Sequence, residues 1–479
     1  MADEKNIRYV LAKLAEGSKL AKDKTEIGGE PLKYRRAYYR LEKHLKDFMS
    51  NKRENRVVLL PGLRGVGKTT TLLQLYNYLR EKNVDPDRIL YFSADESTEY
   101  LGLGVYDVIE AFLEGIHRTS FVNLDKELFI FIDEAHFDEK WATAVKIVYD
   151  KTDKIFLAVT GSSALSMEMG VDLARRAKKE PIFPLNFSEY MVLKHELFPP
   201  KGMAESVREL LFDSGKLIEA STKFDTLRKS FIKKGIPMQR AWEDFLCWGG
   251  FPFSLQLTQI DSHERLFGMV ARVVEKDVFS LKSFNTDTRN TITRILSFLA
   301  LQKPGGTSDS NLAEWLGGVS PTLVRSILDV LEKTHLVFSV KPYGGAGKKV
   351  RKPWKYYFLS SSLNAAMRLK LGAYDQYDKE MLGVFAETLV ASTLFRMKET
   401  LNVPQGIYYD SLKGGSDFLI QASGGIIPIE VSIGKKDARQ VKNSMRKHGA
   451  KNGIVISGSE SIKLDEGILH IPITLFSFV

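Results

Sequence analysis

Cysteine is all but missing from this 479-residue chain: Cys247 stands alone, which excludes an internal disulfide framework and a cysteine-only zinc cluster and fits a reducing compartment. Long apolar runs are missing as well. No segment reaches the roughly 20 residues that cross a bilayer, and the opening MADEKNIRYVLAKLAEG alternates charge with apolar residues at helical spacing, without the continuous apolar stretch of a secretory signal. A cytoplasmic protein with no membrane partner is expected. There is no internal repeat and no low-complexity tract, so disorder should be local.

What is present is an ordinary globular composition, 44% hydrophobic and 27% charged, sufficient for several cores. The length predicts two to four domains. A formal charge of +10 favours time spent near polyanions, because each Lys or Arg that meets a phosphate releases a counterion.

The pattern along the chain divides it further. Residues 1–50 read as a helical lead-in, with a charged Lys33-Tyr34-Arg35-Arg36 and then YYRLEKHLKDFM, whose Tyr39, Leu41, Leu45 and Phe48 are expected to share a helix face. Residues 51–195 alternate strand and helix: Arg56 to Leu60, a Gly-rich loop, a helix from Lys68 to Glu81, then strands Ile89 to Ser93, Leu128 to Ile132 and Ile155 to Thr160. That alternation predicts a parallel sheet covered by helices. Strand signals fade over 196–285, a helical subdomain. From 286 to 372 three helical patterns precede a hairpin, Leu336 to Val340 and Lys355 to Leu359, with Ser320 as N-cap and Pro321 at the first helical position; this is the order of a winged helix-turn-helix. Residues 373–479 read as a separate α/β domain.

Chemistry concentrates first in PGLRGVGKTTT. Gly62, Gly67, Lys68 and Thr69 satisfy the phosphate-loop spacing, and a strand before and a helix after supply the context the motif requires. The amides around Gly65, Val66, Gly67 and Thr70 would wrap phosphates, Lys68 would reach the β- and γ-phosphates, and the Thr69 hydroxyl would ligate magnesium. In LFIFIDEAH the apolar strand ends in Asp133 and Glu134: the first would hold magnesium, mostly through water, and the second would polarise the attacking water. ATP and Mg2+ are therefore the expected cofactors. The strand KIFLAVTGSS ends in Thr160 and Ser162, polar groups placed to sense the γ-phosphate or merely to close a strand.

Together with VTGSSA, the segment ARRAKKEPIFPLNFSEYM, LCWGGFP and VVEKDV, these motifs resemble AAA-type P-loop ATPases of archaea and bacteria that carry a winged helix and a C-terminal restriction-endonuclease-like domain. The resemblance runs along most of the chain. It implies an α/β P-loop fold, a helical subdomain, a winged helix-turn-helix and a nuclease-like α/β domain. It also implies a γ-phosphate-contacting arginine at Arg175, with Arg176 the adjacent choice and Ala174 where the family has glycine, acting within the molecule or from a second subunit of a homo-oligomer.

Nucleases of that fold place one carboxylate at the start of a strand and Glu-x-Lys on the next. Asp417 and Glu430 match the two strands and Glu387 the preceding helix, but Ser432 takes the lysine's place, with Lys435 and Lys436 following. Cleavage and a fold retained for binding both remain open. DNA contact is expected at the hairpin tip, through Lys348, Lys349, Arg351, Lys352 and Lys355 with Tyr343 and Trp354 interleaved, and at Arg325 in the helix before it; a protein-docking hairpin is the alternative. The basic helix around Lys436, Arg439, Lys442, Arg446 and Lys447 is a second positive surface, or simply a solvated one.

Overall fold

The structure is a computed structural model that describes residues 3–162, 170–282, 284–285, 288–303, 305–345, 347, 352–401, 406–422, 424–434 and 437–479. The chain forms two compact units, Met1–Phe183 and Pro184–Val479.

In the first unit, helices α1 (Glu4–Thr25) and α2 (Arg36–Met49) precede strand β1 (Val57–Pro61) and helix α3 (Lys68–Glu81). Then follow β2 (Ile89–Ser93), α4 (Val105–Ala111), β3 (Leu128–Asp133), α5 (Trp141–Lys151), β4 (Ile155–Gly161) and β5 (Lys178–Lys179). The sheet is parallel throughout, in the order β2-β3-β4-β1-β5. Every residue of β1, β3 and β4 is buried, as expected of strands covered on both faces. Inserting β4 between β1 and β3 brings the polar end of β4 between the phosphate loop and the acidic pair, and the reversal of strand order opens a crevice at the carboxyl edge.

One detail of the lead-in differs from expectation. Leu41, Leu45 and Phe48 are fully buried, but Tyr39 is 56% exposed while Tyr38 is 3% exposed. The helical period explains it: positions 38, 41, 45 and 48 fall in one stripe, and position 39 lies a further 100° round.

In the second unit the helices α6 (Phe187–His195), α7 (Met203–Leu210), α8 (Leu217–Lys233), α9 (Met238–Cys247) and α10 (Gln259–Arg272) come first. Helices α11 (Thr288–Leu301), α12 (Asp309–Trp315) and α13 (Pro321–Lys333) lead into the hairpin β6 (Val337–Pro342) and β7 (Lys355–Phe358). Ser320 caps α13 as expected, its hydroxyl accepting from the Leu323 amide at 3.1 Å. After α14 (Ser361–Lys370) and α15 (Lys379–Leu401) come β8 (Gly406–Tyr409), β9 (Phe418–Ala422), β10 (Gly425–Val431), α16 (Arg439–His448), β11 (Gly453–Ser457), β12 (Lys463–Asp465) and β13 (Ile468–Pro472).

These strands make one eight-stranded sheet, β12-β13-β11-β10-β9-β8-β6-β7. The sequence reading divides them at residue 372; the fold joins them, because β6 pairs in parallel with β8, Lys341 opposite Tyr408 and Pro342 opposite Tyr409. The hairpin is therefore an edge of the C-terminal sheet.

Cys247 and His263 are among the buried titratable groups in the helical part of this unit, and neither has a role in the chemistry below. Cys247 is buried and its thiol is pushed up to about 11 by desolvation, so it packs as a small hydrophobe. His263 in α10 is 2% exposed, neither ring nitrogen has a hydrogen-bond partner among the described residues, and burial lowers its pKa to about 4. An imidazole depressed in the fold must be protonated on unfolding, so its contribution is intact above about pH 6.5 and is lost as pH falls towards 4. His263→Phe should gain about 2 kcal/mol on wild type between pH 8 and pH 5, read from urea unfolding at both pH values. An unchanged pH dependence would reject the assignment.

Candidate active site

The loop from Gly62 to Gly67 is shaped by backbone that other residues resist. A Cβ on Gly62 would lie 2.4 Å from the Ile182 carbonyl oxygen, and Gly67, the residue before α3, has φ 91°, in the left-handed region that glycine adopts without a side-chain clash. Gly65 is also left-handed at φ 77°. Gly67 offers no side chain to cap α3, so the first-turn amides, Thr70 among them, keep the donors and partial positive charge that suit a phosphate. Lys68 is buried, its ammonium donating to the Gly62 carbonyl at 2.9 Å and the Leu63 carbonyl at 3.3 Å.

Opposite the loop, Asp133 gathers donors. Its Oδ2 accepts from the Thr69 hydroxyl at 2.6 Å and the Tyr91 hydroxyl at 3.0 Å, and its Oδ1 from the Thr160 hydroxyl and from the Glu134 amide at 3.2 Å. Burial, then the adjacent Glu134 charge, raise its pKa above the ordinary carboxylate value against the pull of Thr160, Thr69 and Lys68. The donor set, a hydroxyl and a carboxylate side by side, is that of a hard cation with oxygen ligands. Magnesium therefore fits at Thr69 and Asp133.

Glu134 has φ 49°, a left-handed conformation that costs a non-glycine residue on the order of 1 kcal/mol and concentrates at working sites. The Thr160 hydroxyl, while donating to Asp133, accepts from the Glu134 amide at 3.1 Å. Thr160 thus orients both acids, which leaves its hydroxyl committed. Glu134 Oε1 is 3.9 Å from the Lys68 ammonium, and Oε2 has no hydrogen-bond partner among the described residues.

His136 lies against Glu134. Burial, with the Lys68 and Arg64 charges, lowers its pKa to about 3, and its Nδ1 accepts from the Ser162 amide at 3.2 Å. The 3.4 Å approach of Glu134 Oε2 to Nδ1 is consequently contact with a neutral ring, not an ion pair. The Ser162 hydroxyl, buried beside it, has no partner among the described residues. Of the two polar groups at the end of β4, Ser162 is the one with a hydroxyl to spare.

Tyr91, His136 and Arg35 are the members that sequence reasoning passed over. Tyr91 sits inside an apolar strand and Arg35 inside a basic cluster; only strand adjacency and the loop's shape reveal their roles. Arg176 is bound to Asp150 at 2.7 Å and to the Asp172 carbonyl at 2.7 Å. Arg175 is exposed, with no hydrogen bond or ion pair among the described residues.

In the second unit the three acids lie at one region of the sheet. The pairing of Phe418 with Ile429 runs on towards Asp417 and Glu430, and Asp417 Oδ2 accepts from the Val431 amide at 2.8 Å. Glu430 is fully buried. Glu387 accepts from the Tyr357 hydroxyl at 2.7 Å and lies 3.4 Å from the Lys355 ammonium; burial above all, with Asp417 nearby and Lys355 opposing, raises its pKa to about 7. Among the described residues no three such groups are arranged to hold a metal.

Of the hairpin residues, Lys348, Lys349 and Arg351 lie outside the described residues, as do Lys435 and Lys436. Lys352 bonds the Ser411 hydroxyl at 3.3 Å. Arg325 pairs with Asp329 at 3.1 Å, and its guanidinium lies 3.9 Å from the centre of the Trp354 ring, with Lys341 at 4.4 Å from the same ring. On α16, Lys442 pairs with Glu466 at 2.6 Å and Lys447 donates to the Lys413 carbonyl at 3.1 Å, which fits a solvated face.

Residues 54–191 match the family described as "AAA domain", and residues 239–375 match a "Domain of unknown function (DUF8612)". The uncharacterized protein MJ1637 of Methanocaldococcus jannaschii is 33% identical over 435 residues, 90% of this chain and 86% of that one. An uncharacterized protein of Haemophilus influenzae is 22% identical over 328 residues, 66% of this chain and 70% of that one. Among solved structures, a Walker-type ATPase of Pyrococcus abyssi matches with TM-score 0.42 and 13% identity over 72% of this chain and 97% of that one. The RuvB Holliday junction branch migration motor of Thermotoga maritima matches with TM-score 0.30 and 16% identity, over 64% and 89%.

Proposed function

This chain belongs to an AAA-type P-loop ATPase family, and we propose that it hydrolyses ATP with magnesium and spends the hydrolysis on changing how its second unit engages DNA. The observation that carries the hydrolytic half is Glu134: a carboxylate on a left-handed backbone, its amide bonded to Thr160, with one oxygen that has no hydrogen-bond partner among the described residues beside the phosphate loop. Passive nucleotide binding requires no such group.

In this reading the loop amides and Lys68 hold the phosphates, and Lys68 exchanges its two loop carbonyls for phosphate oxygens. Thr69 and Asp133 would hold magnesium, which when bound would neutralise phosphate charge. Glu134 Oε2 accepts a proton from the attacking water. Ser162 is placed to sense the γ-phosphate, and Arg175, with Arg176 tied to Asp150, is the arginine left to contact it, within the molecule or from a second subunit.

The DNA half rests on charge and on Trp354. A net charge of +10 and the contact of Arg325 and Lys341 with one aromatic ring beside the basic hairpin favour a polyanion partner over a neutral protein surface. Binding is proposed and cleavage is not: Ser432 stands where the nuclease chemistry needs lysine, and Asp417 Oδ2 is engaged by the Val431 amide. Labelled duplex, branched and single-stranded DNA should each be titrated at rising salt. The affinity should fall linearly on logarithmic axes, by about one order per added phosphate contact per tenfold salt. No binding at low salt sinks this half of the proposal and favours a protein partner.

A further inference from the structure

The phosphate loop is braced from outside by two segments far apart in sequence. One is the junction before α2. Arg35, a largely buried residue, donates through one guanidinium nitrogen to the Val66 carbonyl in the loop and through the other to the Phe183 carbonyl at 3.0 Å. The second is the exit segment 178–183, where the Glu180 amide donates to Leu59 at 2.8 Å and the Ile182 amide to Pro61 at 2.9 Å, extending the pairing of β5 with β1. From α2, Arg40 binds the Glu180 carboxylate at 2.8 Å and the Pro181 carbonyl at 3.3 Å, and His44 meets the other Glu180 oxygen at 3.0 Å. Phe183 is the last residue of the first unit, and Pro184 begins the second.

Val66 lies between Gly65 and Gly67, both left-handed, so its peptide plane can turn with little steric resistance when the loop wraps a phosphate. One rigid, planar guanidinium cannot follow that carbonyl without pulling on its second bond. With the group buried, water is a poor substitute for either bond. We propose that Arg35 is a positioning residue that couples the conformation of the phosphate loop to the exit segment, so that nucleotide binding is felt where the chain passes into its second unit. The inference rests on the ATPase reading above and names the route by which that activity leaves its own unit.

The test uses the full chain as wild type, Arg35→Gln and Arg35→Lys. Steady-state ATP turnover gives kcat and KM separately, and amide hydrogen exchange of the 178–186 peptide is followed with and without a non-hydrolysable ATP analogue. In wild type the analogue should slow exchange there by about fivefold, the scale of an ordinary coupling. Arg35→Gln should lose that difference and about tenfold in kcat while still binding the analogue. Arg35→Lys, which keeps the charge without the fork, should bind with a reduced difference, and carries the test if the glutamine variant does not fold.

A full wild-type exchange difference in either variant overturns the inference. So does a loss in both variants of analogue binding and folding alone, with coupling per bound analogue unchanged. Absence of turnover in wild type would instead reject the ATPase reading, and the analogue-dependent exchange would then decide the inference by itself.

Discussion

Glu134→Gln is expected to lower steady-state ATP turnover by about a hundredfold to ten-thousandfold, the range a positioned general base supplies, with nucleotide affinity close to wild type. The exchange keeps the shape of the side chain, the left-handed backbone and the amide bond to Thr160. It removes the negative charge, and with it the capacity of Oε2 to take a proton. Lys68 is 3.9 Å from the other oxygen and has its own bonds to the loop, so the loop should remain able to close on phosphate. His136 is the other group within reach, and it is no rival for the proton. Its Nδ1 lone pair is occupied by the Ser162 amide, and burial beside the Lys68 and Arg64 charges lowers its pKa to about 3, which makes the ring a poor base. Phosphate release and titration with a fluorescent ATP analogue separate turnover from binding. Turnover at the wild-type rate would remove Glu134 from the mechanism.

Much of this candidate site is legible in the sequence because its chemistry is local. The loop needs its glycines, lysine and threonine within one turn, and the acidic pair must end a fully apolar strand; both are contiguous strings. The helix Lys68–Glu81 and strand Ile89–Ser93 have the bounds the pattern gives. What escaped is non-local. Tyr91 reaches Asp133 only because β2 pairs with β3, Ser93 opposite Asp133. Arg35 reaches Val66 across 31 residues and Phe183 across 148, and nothing in KYRR distinguishes the buried arginine from its exposed neighbours.

The second unit makes the same point more strongly. Its helices and hairpin follow from spacing and caps, as at Ser320. The parallel bond between β6 and β8 joins strands more than sixty residues apart, carried by two residue pairs that have no sequence signature. Lys355 meets Glu387 through that sheet, so a lysine approaches the acidic region from a strand that motif reading assigns elsewhere.

Asp133→Asn should separate folding from function. The ionised carboxylate is unfavourable where it lies: burial and the neighbouring Glu134 raise its pKa, so its charge costs stability wherever the group is ionised, and protonation regains it. Asparagine carries no charge. Its amide can donate to the hydroxyls of Thr69, Tyr91 or Thr160, each of which can rotate to accept, and its remaining oxygen keeps one acceptor for the Glu134 amide. The thermal midpoint without nucleotide should therefore equal or exceed that of wild type. Function should move in the opposite direction. An outer-sphere carboxylate orients a metal's bound water, and its loss costs about 10- to 100-fold in metal affinity or activity, so the stabilisation by ATP that depends on magnesium should largely vanish. Thermal melts with ATP, with magnesium and with both give the result directly. A variant that melts well below wild type without ligand, yet keeps the magnesium-dependent shift, would mean that Asp133 holds the fold together and not the metal.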